Sequence, residues 1–288
     1  MRVRKCVITA AGWGTRFLPI TRSQPKEMLP LLDRPLIQYA VEEAVQAGIG
    51  EVVMVTSAGK SAIKEYFGRH RRLESFLRRK GETALLQKTL AVSNMVVISY
   101  VRQEEQLGLG HAISTAREIV GEEPFAVILP DDIIDSEVSV LKSMIEVLEK
   151  YGAGVLAVER VSDDDTRRYG IIKAEKVADK LYRVLDLVEK PGPDLAPSRL
   201  GIVGRYVLTP RILDVLKVTP PGVGGEIQLT DALRLLLKQQ ELYAYEFEGV
   251  RHDTGLPLGW LKANISLALK RPDLAPGLKA YLKKLAAR

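Results

Sequence analysis

The amino-acid sequence predicts an α/β fold with a mostly parallel, mixed central sheet and helices on both of its faces. The first observation is that short runs such as residues 7–10 (VITA) and 125–129 (FAVIL) are almost wholly apolar. The second is that helix-like stretches, with apolar residues at i, i+3 and i+4, separate these runs. Strands that are apolar on both faces and alternate with helices are typical of a covered parallel sheet. Ligands bind outside the carboxyl ends of such strands, so the residues that follow each strand are the first site candidates.

The first half of the chain supplies five predicted strands and the helices between them. The strands are predicted at residues 7–10, 51–56, 95–101, 125–129 and 153–158. A helix with one apolar face is predicted to begin at Pro35 and to stop at Gly48. Ser136 is predicted to cap a helix that follows the fourth strand. The other helices are predicted at residues 60–67, 69–80 and 111–120.

The second half of the chain is less regular. Strands are predicted at residues 171–173, 181–188, 202–208 and 243–247. Helices are predicted at about 210–216 and 228–239, with two more helical stretches between 257 and 287. We expect one domain over residues 1–288, made of a first half (about 1–150), a second half (about 151–256) and C-terminal helices (about 257–288).

Composition excludes several classes of protein. The chain has 288 residues, of which 46% are hydrophobic and 27% charged, so it can bury a sizeable core and is not disordered. A single cysteine, Cys6, excludes a disulfide framework and a cysteine-based metal cluster. No apolar run approaches the roughly 20 residues that cross a bilayer, and the short apolar run at the N-terminus is not a signal peptide. We therefore expect a cytoplasmic protein without a membrane partner.

The net charge of +6 favours anionic partners. The densest basic stretch, residues 69–80, carries apolar residues at helical spacing, which indicates a solvated amphipathic helix. A phosphate or nucleic-acid patch is the alternative interpretation. Nucleic-acid binding rests on charge alone, without a binding motif, and we expect no nucleic-acid partner.

The loop after the first strand contains Gly12, Gly14 and Arg16. Glycines let backbone N–H groups approach phosphate oxygens, and an arginine adds a charged fork. The loop is not the dinucleotide-binding fingerprint, because Phe17 stands where a third glycine is required. Two glycines alone are equally typical of a structural turn.

Further segments join this loop in one recognisable order. GxGTR (12–16) and PKEMLPL (25–31) begin the series. The others are QEEQLGLGH (103–111), LPD (129–131), YG (169–170), VEKP (188–191), IVGRY (202–206), PPGVGGEIQLTD (220–231) and HDTG (252–255). Together they resemble the sugar nucleotidyltransferases, and most of all the bacterial and archaeal UTP–glucose-1-phosphate uridylyltransferase family. The resemblance covers residues 5–268 and implies the Rossmann-like fold of nucleotide-diphospho-sugar transferases.

The resemblance also implies a role for individual residues. Those implied to bind the nucleotide are Ala11, Gly12, Gly14, Thr15, Arg16, Lys26, Glu27, Gln103, Gly108 and Asp131. Those implied to bind the sugar phosphate are Asp132, Gly170, Glu189, Lys190 and Val203. Asp131 and Asp253 would hold Mg²⁺, and the catalytic group would be Arg16, Lys26, Asp131 and Lys190. The first half of the chain would then be nucleotide-binding and the second half sugar-binding.

The residue types agree with that chemistry. A sugar 1-phosphate is already an anion, so its attack on the α-phosphorus of UTP needs alignment and cationic stabilisation more than a general base. Mg²⁺ requires only one or two protein carboxylates besides phosphate oxygens and water. Taken alone, however, Asp131 and Asp132 are equally typical of a capped turn, Lys190 of a surface lysine, and His252 of a residue that orients a neighbour.

Two other functions stay open. One keeps the fold and changes the substrate to dTTP or to another sugar 1-phosphate. The other is a nucleotide-sugar-binding regulatory subunit, which would be expected to lack Arg16, Lys26, Asp131 or Lys190, whereas all four are present. The resemblance further implies a homo-oligomer, a dimer or tetramer, with the C-terminal helices as candidates for the interface.

Overall fold

A mixed β-sheet runs through the structure, a computed structural model that describes residues 2–287. The strands are β1 (Lys5–Thr9), β2 (Pro30–Leu31), β3 (Arg34–Pro35), β4 (Glu51–Thr56), β5 (Val97–Arg102), β6 (Phe125–Ile128), β7 (Asp132–Asp135), β8 (Gly154–Arg160), β9 (Gly170–Ala178), β10 (Leu181–Glu189), β11 (Leu200–Leu208), β12 (Leu242–Glu246) and β13 (Val250–Asp253). Nine of these form the main sheet in the order β5-β4-β1-β6-β11-β8-β12-β10-β9. The remaining strands form two small antiparallel pairs, β2 with β3 and β7 with β13.

Helices cover the sheet. They are α1 (Leu36–Gln46), α2 (Ser61–Phe67), α3 (Arg71–Lys80), α4 (Thr83–Ser93), α5 (Leu109–Ser114), α6 (Arg117–Val120), α7 (Val140–Tyr151), α8 (Arg211–Val218), α9 (Leu229–Leu236), α10 (Pro257–Ala268) and α11 (Ala275–Ala286). Short 3₁₀ turns lie at Thr15–Phe17, Ile20–Arg22, Lys26–Met28, Asp164–Arg167 and Val223–Gly225. Among residues 2–287, no helix has the length and apolar character needed to cross a membrane.

The predicted mixed sheet is confirmed, and its parallel part comes from the first half of the chain. Neighbours β5, β4, β1 and β6 all run parallel, so their carboxyl ends meet at one edge. β11 then runs antiparallel to both β6 and β8. Beyond β8, strand β12 is parallel to β8, β10 is antiparallel to β12, and β9 is antiparallel to β10. Every residue of β11 is buried, because this strand lies in the middle of the sheet.

Each face of the sheet has its own apolar core. β1 shows the alternation, because Val7 packs with α5, α8 and α9 on one face and Ile8 packs with α1, α2 and α7 on the other. This explains why the parallel strands are apolar at successive positions. Cys6 is fully buried beside Ile8, and burial raises the pKa of its thiol, so it is not a reactive site.

The predicted helix cap at Ser136 is wrong. The chain after Asp131 first forms β7, which pairs with β13 from the far end of the sequence. The helix begins only at Val140, and the hydroxyl of Ser139 caps it by accepting a hydrogen bond from the amide of Lys142 at 3.3 Å. A local pattern does not reveal β7, because its partner strand is distant in the sequence.

Three other differences concern single elements. α4 was not predicted, because every one of its residues is at least partly exposed and no apolar face marks it. The predicted helix at 111–120 is two short helices, α5 and α6. The strand predicted at 171–173 is the nine-residue β9, whose second half is mostly exposed. The remaining predicted elements lie within a few residues of those observed.

Candidate active site

The ends of the parallel strands bring the predicted nucleotide-binding residues to one edge of the sheet. The glycine loop follows β1, Gln103 follows β5, and Asp131 follows β6. Hydrogen bonds with residues at the end of β4 hold the glycine loop and Gln103 in place. The amide of Gln103 donates to the carbonyl of Thr56 at 2.8 Å, and the carbonyl of Ala11 accepts from the Ser57 hydroxyl at 2.9 Å.

In the glycine loop, Gly14 is required for a geometric reason. Its φ is +67°, and a Cβ there would lie 3.0 Å from Thr21 Cγ2 and 3.2 Å from Lys26 Cβ. This close approach presses the loop, including Thr15, against the segment that carries Lys26. By contrast, a Cβ on Gly12 would meet nothing within 4 Å, and Trp13 between the two glycines is largely exposed. This part of the loop is open to solvent.

Two ion pairs lie beside the loop. The ammonium of Lys26 lies 2.6 Å from Asp131 Oδ2, and that of Lys60 lies 2.8 Å from Glu27 Oε2. Burial opposes the charge of Asp131, but Lys26 outweighs it and holds the pKa of that carboxyl below its usual value. Burial likewise opposes the charge of Lys26, whose pKa is nevertheless raised by Asp131 and Glu27.

Glu27 has an unused acceptor. Burial raises the pKa of its carboxyl, and Lys60 offsets this only in part. Its second oxygen, Oε1, is buried and has no hydrogen-bond partner among residues 2–287. A buried acceptor of this kind costs free energy unless a donor reaches it. Glu27 is therefore suited to accept a hydrogen bond from a bound molecule.

Gln103 and Gly108 lie together, as the resemblance implied. Gln103 Nε2 donates to the carbonyl of Gly108 at 3.3 Å and lies 2.9 Å from Nδ1 of His111. Gly108 has a φ of +99°, and a Cβ there would lie 2.7 Å from Glu226 Cβ. Two backbone bonds hold this crowded contact. The amide of Gly110 donates to the carbonyl of Ile227 at 2.8 Å, and the Ile227 amide donates to the carbonyl of Leu107 at 2.8 Å.

A cavity of about 640 Å³ opens beside these residues, within the size range of small-molecule sites. The predicted residues that line it are Arg16, Asp131, Asp132, Gly170, Glu189, Lys190, Val203 and Asp253. The other predicted residues lie outside its lining and are Ala11, Gly12, Gly14, Thr15, Lys26, Glu27, Gln103 and Gly108. The lining therefore joins Arg16 and Asp131 to the predicted sugar-binding residues.

The β9–β10 hairpin builds the side of the cavity that carries the predicted sugar-binding residues. Gly170 and Glu189 face each other across the two strands, and a Cβ on Gly170 would lie 2.7 Å from Thr230 Oγ1. Lys190 follows at φ +44°, a left-handed conformation that is strained for a lysine. Its ammonium lies 3.1 Å from Glu189 Oε1. Strain of this kind is often retained where a side chain must point at a ligand.

Two carboxylates converge where a cation could be held. Asp253 Oδ1 and Asp131 Oδ2 lie 3.1 Å and 3.2 Å from the point that a Cβ on Gly255 would occupy. Thr254 fixes this arrangement, because its amide and its hydroxyl both donate to the carbonyl of Asp131, at 2.8 Å and 2.7 Å. Within residues 2–287 no group of three His, Cys, Asp or Glu side chains could hold a metal. A cation here would thus need substrate oxygens as well.

Asp132 is predicted to bind the sugar phosphate, but each oxygen of its carboxylate already accepts a hydrogen bond from the protein. Although it lines the cavity, its Oδ2 accepts from the Gly204 amide at 2.9 Å and its Oδ1 accepts from Arg251 at 2.5 Å. Burial raises the pKa of Asp132 in spite of Arg251. With a protein donor on each oxygen, Asp132 is suited to hold the site together, and direct contact with a sugar phosphate stays a prediction.

Sequence reasoning missed a cluster of arginines in the cavity. Arg251 donates to Asp132, to Glu159 Oε1 at 2.6 Å and to the Tyr169 hydroxyl at 2.7 Å. Arg168 pairs with Asp253, and the guanidinium groups of Arg168 and Arg251 lie 5.4 Å and 4.7 Å from the centre of the Tyr169 ring. The only signal was position, since these residues adjoin the YG and HDTG segments.

His252 lies next to Asp253 in β13, and its side chain is buried. Its Nε2 has no hydrogen-bond partner among residues 2–287. Burial lowers the pKa of its imidazole, so the neutral form is favoured. The prediction that His252 orients a neighbour remains untested by these contacts.

The chain is similar over nearly its full length to known nucleotidyl transferases. The profile of the nucleotidyl transferase family matches residues 5–268. A protein of Staphylococcus epidermidis named UTP–glucose-1-phosphate uridylyltransferase is 48% identical over 284 residues, which cover 99% of each chain. A UDP-glucose pyrophosphorylase crystallised with UDP-glucose is 43% identical, with a TM-score of 0.86 over 94% of this chain and 100% of its own. A UTP-bound UGPase from Acinetobacter baumannii is 38% identical, with a TM-score of 0.91 over 99% of this chain and 100% of its own.

Proposed function

Because the chain belongs to the nucleotidyl transferase family, we propose that it joins UTP to α-D-glucose 1-phosphate, giving UDP-glucose and pyrophosphate. One observation carries the proposal. The Lys190–Glu189 pair at the hairpin lines one cavity together with Arg16 and with Asp131, the partner of Lys26, so basic groups from separate segments meet there, as two anionic substrates require. The names of the relatives supply the identity of those substrates and of the product, since one is a UTP–glucose-1-phosphate uridylyltransferase, one is complexed with UDP-glucose and one is UTP-bound.

The chain's own residues would act by position and charge. Arg16 and Lys26 would neutralise the triphosphate, and Lys190 would hold the sugar phosphate for in-line attack. An oxygen of the sugar phosphate forms a bond to the α-phosphorus of UTP. The bond from that phosphorus to the bridging oxygen breaks, and pyrophosphate leaves with the electron pair. No proton has to be removed from the attacking group.

The residues fit a divalent cation, which we propose is Mg²⁺. Asp131 and Asp253 offer oxygen atoms alone, the ligands that Mg²⁺ prefers, and they converge near Gly255. When bound, the cation would neutralise phosphate charge and help to orient the triphosphate. Asp131 is suited to this because its low pKa keeps it ionised.

The base would lie at Gln103 and Gly108. The Gln103 side chain already contacts the Gly108 carbonyl, so the two can offer hydrogen bonds to one uracil edge. The free Oε1 of Glu27 would be a further acceptor. The UTP-bound relative favours UTP over dTTP as the nucleotide.

Pyrophosphate release tests the proposal. The purified protein would be given glucose 1-phosphate, Mg²⁺ and in turn UTP, dTTP, CTP, ATP or GTP, with the Asp131→Asn variant as a control. We expect release to be fastest with UTP and to stop with a chelator. Fastest release with dTTP would move the activity to a thymidylyltransferase. If no nucleotide supports release with any sugar phosphate tested, the binding-subunit alternative replaces the enzyme.

We also propose that the protein is a homo-oligomer. Every residue of α11 is at least partly exposed, including the large side chains of Tyr281 and Leu285. A helix with such an apolar surface is suited to an interface. Light scattering after size-exclusion chromatography should give a mass of two or four chains, and a single-chain mass would contradict this proposal.

A further inference from the structure

Arg168 holds the carboxylate that the proposed function gives to a cation. Its guanidinium pairs with Asp253 Oδ2, and the Tyr169 hydroxyl donates to the same oxygen at 3.3 Å. Asp131 is paired in the same way with Lys26. Each of the two converging carboxylates is thus neutralised by a basic side chain. The guanidinium holds Oδ2, whereas Oδ1 converges with Asp131, so a cation that binds Asp253 would share the charge of this one carboxylate with Arg168.

Arg168 is also able to leave Asp253. It lies at the end of the short turn Asp164–Arg167, lines the cavity, and its side chain is 43% exposed. Its second contact, with Asp165 Oδ1 at 3.1 Å, is an exposed pair that adds little restraint. The guanidinium fork matches the oxygens of a phosphate, so a substrate in the cavity offers it a new partner.

Arg251, by contrast, is fixed. Its donors are used by Asp132, Glu159 and Tyr169, and its side chain is only 8% exposed. It holds the Tyr169 ring over which Arg168 lies. The two neighbouring arginines therefore differ, because the partners and the burial of Arg251 leave it no room for another contact, whereas Arg168 is exposed to the cavity.

We propose that Arg168 is an exchangeable counter-ion, which pairs with Asp253, yields it to the divalent cation, and then pairs with the phosphate of the sugar 1-phosphate. This inference rests on the proposed function. It implies that cation and sugar phosphate each strengthen the binding of the other, because coupling between two ligands is reciprocal.

Binding of Mn²⁺ alone, measured by electron paramagnetic resonance, tests the first step without any turnover. Loss of an exposed competing pair should make Arg168→Ala bind Mn²⁺ about two- to fivefold more tightly than the unaltered protein. Arg168→Lys should lie between the two. Arg183→Ala is the matched control, because Arg183 is equally exposed and pairs with Glu175 away from the cavity. In an Asp253→Asn background, removal of Arg168 should have no effect.

The second step is tested by adding glucose 1-phosphate to the same titration. It should tighten Mn²⁺ binding in the unaltered protein and in Arg183→Ala, and this effect should be absent in Arg168→Ala. Unchanged or weaker Mn²⁺ binding by Arg168→Ala would overturn the exchange, and so would a missing effect of glucose 1-phosphate in the unaltered protein. Failure of pyrophosphate release with normal Mn²⁺ behaviour would instead count against the proposed function alone.

Discussion

Replacing Arg205 should be among the most destabilising changes in this protein. The side chain lies in β11 with only 1% of its surface exposed. Its guanidinium donates to both oxygens of Glu43, at distances between 2.8 Å and 3.0 Å. It also donates to three carbonyls, those of Gly204 at 2.9 Å, Leu129 at 3.2 Å and Asp132 at 2.6 Å. It therefore ties α1 to the loop that carries Asp131.

The expected loss follows from these contacts. Arg205→Met keeps most of the volume but leaves the Glu43 carboxylate largely buried without a cation, and it leaves three carbonyls without this donor. Breaking a buried ion pair on one side costs about 3–5 kcal/mol. The double variant with Glu43→Leu removes the uncompensated carboxylate as well, so we expect it to regain more than half of that loss.

Urea unfolding, followed by circular dichroism, measures the free energy of unfolding of each variant. Arg160→Met is a suitable control, because Arg160 pairs with Glu246 at 2.9 Å in an exposed position and should cost less than about 1 kcal/mol. A loss below about 1 kcal/mol for Arg205→Met would refute the reasoning. A double variant no more stable than the single one would do the same.

Three further predictions concern the site. Asp131→Asn should lower the rate of pyrophosphate release by at least about a hundredfold while the circular dichroism spectrum stays that of the folded protein, because it removes a carboxylate charge from the proposed cation site; a loss within threefold, only about 0.7 kcal/mol of barrier, would contradict the assignment. Gly170→Ala should raise the KM for glucose 1-phosphate by at least about tenfold and leave that for UTP nearly unchanged, because the added methyl group lies 2.7 Å from Thr230 Oγ1; equal effects on both substrates in initial-rate kinetics would argue against a sugar-side role. For His252, burial holds the pKa of the folded state below its usual value of 6.5, so the associated stability is present above pH 6.5 and is lost as the pH falls through the folded pKa. The urea midpoint of the unaltered protein should thus fall relative to that of His252→Gln as the pH drops below 6.5, and parallel curves for the two proteins would exclude this origin.

The sequence was informative wherever one local pattern decided the structure. Parallel strands with apolar runs place their following residues at one sheet edge, so Asp131 and Gln103 could be expected at the same edge from the alternation of strands and helices. The motifs also identified Gly170 and Glu189, which the hairpin brings face to face. In both cases the signal lies within a few residues of the side chain concerned.

The parts that escaped prediction depend on distant pairings. β7 forms only because β13 arrives from the far end of the chain, and this pairing brings Arg251 against Asp132. Tyr169 completes that cluster from a third segment. No local spacing encodes the meeting of three separated segments, and charged residues are usually solvated. A network of this kind becomes visible only once the sheet is assembled.

The contact between Gly108, Gly110 and the chain at Ile227 has a consequence for mutagenesis. Two main-chain hydrogen bonds hold this contact, and the segment that they anchor places Glu226 in the cavity lining. An alanine scan shortens side chains and leaves these main-chain hydrogen bonds intact, so it would detect no effect of this contact on activity. The informative substitution adds an atom instead, because a Cβ on Gly110 would lie 2.7 Å from the Ile227 carbonyl oxygen. Libraries that aim to broaden the substrate range should therefore hold these two glycines constant and vary the side chains around them.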